Sequence, residues 1–484
     1  MYDRNGIARV RIRYEGDAQL FDFRPTPNSR WRDLDDMVKQ PGLKFNIKGP
    51  QILDRVADVL SIGPDGDTLY ISTRLGTDHF ELAAFSMSTG LIKGTIAKHP
   101  KYDLTTSDFG VTRLLFAKQS TRLLGVIFEA QKPQIVWLDP KFASLQKNID
   151  ATFPGHVNYP IDWSDDGSTI IYDSSSDQDP GTVYVYQPAQ GRLMPILDKG
   201  EQLKGRTLAK TVAIEFTARD GHKIPAYLTR PIAPETGPAP MIVYVHGGPM
   251  ARDDWRFDPT VQFFASRGYI VLQVNYRGSS GYGAAFQAAG LRARLDTVVL
   301  DDIADGARYL ISTGEADPKR VGIAGGSFGG WATYMSLIKY PELYRAGVAI
   351  AAISHWREAL RESRWSFDNK LGYTFWKSLL GRVDFEANEK FIDPSLRASE
   401  LHQPIFIIHG GRDTTVSPWQ SETMLNALKK RNPNVQSHAF PGSSHTEWLF
   451  QDRVVMLNEM ALFFEKYLPS SASTPATPVA ASRP

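Results

Sequence analysis

Through the first two hundred residues, short apolar runs alternate with turn signals. Residues 57–62, Ala-Asp-Val-Leu-Ser-Ile, give way to the turn Gly63-Pro-Asp-Gly66 and then to Thr68-Leu-Tyr-Ile-Ser72. The pattern returns over residues 162–172, around a Ser-Asp-Asp-Gly turn, and in degenerate form over residues 114–128. Each copy predicts a strand, a polar turn and a strand. A third strand tends to follow, as in Thr182-Val-Tyr-Val-Tyr-Gln187. The copies recur at roughly fifty residues, the spacing of propeller blades. An ordinary β-sandwich of hairpins is the competing expectation. The region holds three or four blades' worth of chain, and residues 6–30 read as one more blade that lacks its start.

From about Lys204 the pattern changes. Strand-like runs now alternate with helical ones, which predicts a mostly parallel sheet flanked by helices. Met241-Ile-Val-Tyr-Val245 is apolar without alternation, as a strand buried on both faces must be. Residues 269–274, 348–352 and 404–409 continue the set. Helical spacing runs over residues 299–312, 331–339 and 420–430. A last helix is expected over 448–468, with Leu449, Val454, Leu457, Met460 and Phe464 on one face. The expected organisation is therefore an all-β, partial β-propeller domain over 1–205 and an α/β-hydrolase-like, doubly wound domain over 206–468. A Ser/Ala/Thr/Pro tail over 469–484 is expected to be disordered.

Composition narrows the function classes. Hydrophobic residues make up 42% and charged residues 22% of the 484, with a formal net charge of +2. Those values suit a globular chain with a sizeable core, and they give no field for nucleic acid or an acidic membrane surface. There is no cysteine. Disulfide frameworks, thiolate metal sites and cysteine nucleophiles are excluded together. The start, Met1-Tyr-Asp-Arg-Asn-Gly6, has no apolar run of the kind a signal peptide needs. No run of about 18 apolar residues appears, so no membrane span is expected. The compartment stays open between cytoplasm and periplasm.

Gly325-Gly-Ser-Phe-Gly329 fits the G-x-S-x-G nucleophile elbow. That chemistry needs a serine hydroxyl held proud of a sheet on a tight strand-to-helix turn, with no side chains crowding it. The strand-like Arg320-Val-Gly-Ile-Ala324 precedes it and a helical run follows, so Ser327 is the expected nucleophile. A phosphate loop is the rival, but no G-K-[ST] follows. A serine needs a base to take its proton, and the base needs an acid to hold its tautomer. In this fold they follow in the order Ser, acid, His. Asp413 lies just past the apolar run ending at Ile408, at a strand's C-terminal end, where open α/β sheets build their sites. His445 lies in a loop before the last helix. His409 and His438 belong to strands and are expected to be packed or structural. The oxyanion donors expected are the N–H groups of Phe328 and of Gly247, in the loop His246-Gly-Gly-Pro249. His246 has no second histidine at ligand spacing, so neither metal nor other cofactor is expected.

With these residues in place the chain resembles the prolyl oligopeptidase family of serine peptidases, closest to its acylaminoacyl-peptidase-like branch. The marks are Thr217-Ala-Arg-Asp-Gly-His-Lys-Ile-Pro-Ala-Tyr227, His246-Gly-Gly-Pro249, Asn275-Tyr-Arg-Gly-Ser-Ser-Gly-Tyr-Gly283 and Asp317-Pro-Lys-Arg-Val-Gly-Ile-Ala-Gly-Gly-Ser-Phe-Gly-Gly330. Asp413 and His445 then fall where that family keeps its acid and base. The resemblance implies a C-terminal hydrolase domain and an N-terminal β-propeller that restricts access to peptides. It also implies that this chain starts mid-propeller. A short propeller would leave blade edges able to pair with another chain, so a homo-oligomer stays open. Where many relatives carry an arginine just after the acid, this chain has Thr414, Thr415 and Val416, which puts a charged anchor for the substrate's main chain in doubt. In relatives the apolar specificity pocket comes from the stretch after the nucleophile, which here holds Trp356, Trp365, Phe367, Tyr373, Phe375 and Trp376; Trp356 and Trp365 are the expected lining. The expected function is hydrolysis of oligopeptides through an acyl-enzyme on Ser327. A carboxylesterase with the same triad is the alternative, and a binding scaffold with an inactive site is the third reading.

Overall fold

The computed structural model describes residues 1–471 apart from 4, 17, 49–53, 105–112, 119–121, 234–235, 292–294, 366–375, 377–378 and 380–384. Most of the expected disordered tail, 472–484, therefore lies outside the described residues, as do Phe367, Tyr373 and Phe375. The side chain of Trp365 is also outside them.

Four small antiparallel sheets come first. They are β1 (Val10–Glu15), β2 (Ala18–Phe23), β3 (Arg32–Asp33) and β4 (Ile47–Lys48); β5 (Ala57–Ile62), β6 (Thr68–Thr73), β7 (Glu81–Ser86) and β8 (Leu91–Ala97); β9 (Arg113–Phe116), β10 (Leu123–Glu129) and β11 (Pro133–Trp137); and β12 (Val157–Trp163), β13 (Ile170–Ser175), β14 (Thr182–Gln187) and β15 (Arg192–Asp198). The strand pairs read from the sequence around residues 63–66, 117–122 and 164–169 are the hairpins β5–β6, β9–β10 and β12–β13. Consecutive sheets share cores. Phe21 and Phe23 of the first meet Ile71 and Phe85 of the second. Leu82 of the second meets Val126 and Phe128 of the third. Leu124 and Ile127 of the third meet Ile170 and Tyr172 of the fourth. Sheets stacked in chain order, each on the next, are the partial β-propeller. A helix α1 (Pro140–Thr152) interrupts them, which the strand pattern did not lead one to expect. Its start is nonetheless written in the sequence: Asp139 caps the N–H groups of Lys141 and Phe142, and Pro140 fills the first turn.

The second part is one eight-stranded sheet: β16 (Thr211–Thr217), β17 (Lys223–Thr229), β18 (Ala239–Val245), β19 (Ile270–Val274), β20 (Ala316–Gly326), β21 (Ala346–Ile350), β22 (Ile405–Gly410) and β23 (Val435–Phe440). The spatial order is β16-β17-β19-β18-β20-β21-β22-β23. Only β17 runs against the rest, antiparallel to both its neighbours β16 and β19, and the remaining pairs are parallel. Helices α2 (Pro259–Ala265), α3 (Ala284–Leu291), α4 (Val298–Ser312), α5 (Phe328–Lys339), α6 (Trp356–Trp365), α7 (Phe385–Ile392), α8 (Trp419–Lys429) and α9 (Phe450–Tyr467) accompany it.

The continuous apolar strands are explained by two cores. Met241, Val243 and Val245 of β18 point to the face covered by α4, α5 and α8. Ile242, between them, points to the face covered by α2 and α9. Alternation of side chains across a strand makes both sets apolar only when both faces are covered. This is the α/β-hydrolase fold. The two parts of the chain are tied together near the C-terminal end of β19. Gly283 N–H donates to Asp103 Oδ2 at 3.2 Å, and Ala285 N–H donates to Asp78 Oδ1 at 2.8 Å.

Candidate active site

Because β20 to β23 are parallel and in register, their C-terminal ends share one edge of the sheet. Gly326 is level with Ile350, Ile350 with Ile408, and Gly410 with Phe440. Ser327, Asp413 and His445 all follow directly from that edge.

Ser327 stands between β20 and α5 with φ 58° and ψ −120°. A non-glycine residue at positive φ is costly, by about 1–3 kcal/mol, and persists only where the surroundings impose it. They do so here. Ser327 N–H donates to Ile350 O at 2.8 Å, and Ser327 O accepts from Gly330 and Trp331 N–H. The flanking glycines admit the close approach of β18. A Cβ at Gly329 would lie 2.1 Å from Val245 O, and one at Gly325 would lie 2.7 Å from the same oxygen. Gly329→Ala is expected to lower stability by about 3 kcal/mol, an overpacking cost against backbone that cannot rotate away. Thermal melts beside wild type check it; an unchanged midpoint would mean that α5 can shift without cost.

His445 Nδ1 lies 2.7 Å from Asp413 Oδ2. Asp413 Oδ1 accepts from Thr415 N–H at 2.9 Å and Val416 N–H at 2.8 Å. Burial alone would push this carboxyl up, but the hydrogen bonds from His409 and His445 hold it well below the usual carboxylate range. Asp413 is therefore ionised at every working pH. Thr415 and Val416 thus serve the acid through two main-chain donors.

The loop after β18 lies over the serine. A Cβ at Gly247 would be 3.4 Å from Ser327 Cβ and 4.0 Å from its Oγ. Phe328 opens α5, where first-turn N–H groups have no acceptor within the helix. Its ring is fully buried against Trp331 and Tyr276. The loop itself is braced by the motif Asn275–Gly283, a support that the sequence reading left unassigned. The His246 ring stacks on Tyr276 at 4.3 Å, with Nε2 2.9 Å from Ser279 Oγ and Nδ1 2.8 Å from Gly247 O. Burial pushes His246 down to about 4, so the ring is neutral at physiological pH. Asn275 Oδ1 accepts from Asp253 N–H at 2.7 Å, and its Nδ2 donates to Tyr282 OH at 2.7 Å.

Arg252 joins this loop to the β-propeller part. Its guanidinium donates to Glu129 O and Ala130 O, at the end of β10, and to Tyr282 OH. Beside it Glu129 Oε2 is buried without a hydrogen-bond partner. Burial and the neighbouring Asp254 push the Glu129 carboxyl up to about 7. Unfolded, this group would lose its proton near its ordinary value of 4.5. Stability therefore falls as pH rises from that value to about 7, and stays lower above it. Glu129→Gln is expected to stabilise the protein by about 2 kcal/mol at pH 8 and by little at pH 4. Melting midpoints at the two pH values check this, and equal shifts at both would remove the titration from the account.

Of the two residues expected to line the pocket, Trp356 is 1% exposed and belongs to the core, edge-on to Trp331 and tilted against Trp376, with Nε1 donating to Ile392 O, and the side chain of Trp365 lies outside the described residues. The large ring of Trp356 is drawn inward because α6 and α7 close over it. Trp376, partly buried, lies against both Phe328 and Trp356. His438 pairs with Glu459 and stacks on Phe440, away from the acid. His409 does reach the acid, with Nε2 3.2 Å from Asp413 Oδ2. One group of potential metal ligands comes together among the described residues, His355, Glu389 and Asp393. Its acids are already engaged, Glu389 by Arg357 and Asp393 by Trp356 N–H and by Ser395. No helix among the described residues is long and apolar enough to cross a membrane.

Sheet order, serine elbow and the Asp–His pair at one sheet edge define an α/β-hydrolase preceded by a partial β-propeller. Residues 255–471 match the prolyl oligopeptidase family. Dipeptidyl aminopeptidase BIII of Pseudoxanthomonas mexicana is 27% identical over 453 residues, covering 90% of this chain and 61% of that protein. Dipeptidyl peptidase family member 6 of Caenorhabditis elegans is 30% identical over 355 residues, 67% of this chain and 47% of that protein. A puromycin-hydrolysing peptidase of Mycobacterium tuberculosis has a similar structure, with a TM-score of 0.75 at 21% identity, over 96% of this chain and 68% of that one. The hydrolase part of the chain, over the matched residues 255–471, is that of the prolyl oligopeptidase family. It spans about half to three-fifths of the length of the two curated relatives.

Proposed function

We propose that this chain is a serine peptidase acting on oligopeptides, with 206–468 carrying the chemistry and 1–205 limiting access to it. Ser327 Oγ attacks the scissile carbonyl while His445 Nε2 takes its proton. The N–H groups of Phe328 and Gly247 receive the negative charge of the tetrahedral intermediate. His445 then gives the proton to the leaving amine, and Asp413 stabilises the imidazolium formed between the two transfers. Water repeats the sequence on the acyl-enzyme and releases the acid. The observation that carries the reading is the 2.7 Å bond from His445 to Asp413 at the sheet edge from which Ser327 also projects. The propeller-like part packed against the hydrolase favours peptides over lipids, and the two relatives named above are a dipeptidyl aminopeptidase and a dipeptidyl peptidase family member.

The test is a panel of chromogenic substrates with purified protein beside Ser327→Ala. It contains aminoacyl, acetyl-aminoacyl and dipeptidyl amides of Phe, Leu, Ala and Pro, and short-chain esters. Amide turnover that disappears in the variant supports the peptidase, and the preferred amide separates an acylaminoacyl-peptidase-like enzyme from a dipeptidyl peptidase. Ester turnover without amide turnover transfers the site to a carboxylesterase. Folded protein that turns over neither class would leave a binding role.

A further inference from the structure

The geometry points to His409 as a positioning residue for the acid: its ring and that of His445 converge on one oxygen of Asp413, and the first sets how tightly that oxygen holds the second. This rests on the triad reading above and adds to it a residue that does not touch the substrate.

His409 lies near the end of β22 and is 3% exposed. Its Nε2 stands 2.9 Å from Val416 O and 3.2 Å from Asp413 Oδ2. Both oxygens can only accept, because Asp413 is ionised, so Nε2 carries the proton. In the neutral ring Nδ1 must then accept. It does so from Ser421 Oγ–H at 2.6 Å, from the first turn of α8. One hydroxyl thereby fixes the tautomer, and the tautomer places an N–H on Val416 O with the acid oxygen beside it. Main-chain N–H groups donate to Oδ1 and His445 Nδ1 holds Oδ2, while the His409 Nε2–H, bonded to Val416 O, lies within 3.2 Å of that same Oδ2.

An N–H from His409 draws charge away from the Oδ2 that His445 needs. Its removal makes Oδ2 a stronger acceptor, which favours the imidazolium form of His445. The acidic limb of kcat/KM, set by protonation of the base in the free enzyme, then moves to higher pH. The carboxylate also loses lateral support, so the His445 ring is less well oriented. At the start of α9 Asp452 accepts from Ser443 Oγ, and on the loop that carries His445 the Glu447 side chain is exposed.

The experiment is a kcat/KM profile from pH 5 to 9 for wild type, His409→Leu, His409→Gln and Ser421→Ala. Rates are normalised to the fraction of sites labelled by an organophosphonate. His409→Leu is expected to raise the acidic limb by about half to one pH unit and lower kcat by about tenfold. His409→Gln keeps a donor where Nε2 stood and is expected to return the limb to its wild-type position. Ser421→Ala weakens the donor while keeping the ring, and is expected to shift the limb the same way but less. If His409→Leu does not fold, Ser421→Ala carries the test. A limb unmoved in both, or a Gln variant that shifts like Leu, would overturn the role. Titration of the His445 ring by NMR in the same variants needs no turnover. An inactive wild type would therefore defeat the proposed function, while His409 would still be judged by that titration.

Discussion

Ser327→Ala is expected to lower amide turnover by about a millionfold, to the rate that the remaining site sustains without a nucleophile. Alanine keeps the Cβ and removes only Oγ. The elbow is imposed by Ile350 O, by the first turn of α5 and by the close approach of Val245 O, none of which involves the hydroxyl. The variant should therefore fold, melt near the wild-type midpoint and still bind substrate, because the expected oxyanion donors on Phe328 and Gly247 are main-chain groups. A steady-state rate beside wild type, with the melting midpoint as control, is the measurement. A loss below about tenfold would move the nucleophile elsewhere.

Asp413→Asn is expected to cost about ten-thousandfold in kcat with little change in KM, because the wrong tautomer of the base is then enforced. The amide oxygen would take the place of Oδ1 and keep the N–H groups of Thr415 and Val416. The NH2 group would then face both His445 Nδ1 and His409 Nε2. Toward His445 it donates, so that ring must carry its proton on Nε2, the atom that has to accept from Ser327. Toward His409 it sets donor against donor, and the buried ring has Ser421 on its other side. Part of the loss should therefore be structural, visible as a lowered melting midpoint that Ser327→Ala does not share. A variant within a hundredfold of wild type would show that His445 is held by something other than Asp413.

Legibility in the sequence followed the range of the interaction. The hairpins β5–β6 and β12–β13 were readable because a turn and its flanking strands are contiguous in the chain, over 57–73 and 157–175. The elbow was readable for the same reason: two glycines and a serine between a strand and a helix are a local requirement of backbone sterics. Helix α1 was missed because its apolar face is weak, although Asp139-Pro140 marked its start. The β21 strand begins two residues before the apolar run that announced it, since Ala346 and Gly347 extend the pairing without adding hydrophobicity. Trp356 was read as pocket lining. Whether an aromatic ring faces a cleft or a core depends on where α6 and α7 pack, and nothing within the segment specifies that.

The sequence by itself determined the fold class, the chain order of the proposed nucleophile, acid and base, and the loop that lies over the serine. These follow from strand ends and turn chemistry, which neighbouring residues encode. Only the tertiary structure decided that His409 shares an oxygen of Asp413 with His445, that Ser421 sets its tautomer, and that Asn275 and Tyr276 brace the loop after β18. Only the tertiary structure put Glu129 where it keeps its proton to about 7. Each of these is a contact between segments far apart in the chain. Its geometry is fixed by the register of the parallel strands β20 to β23 and by the packing of the β-propeller part on the hydrolase, and those are properties of the assembled core rather than of any one segment.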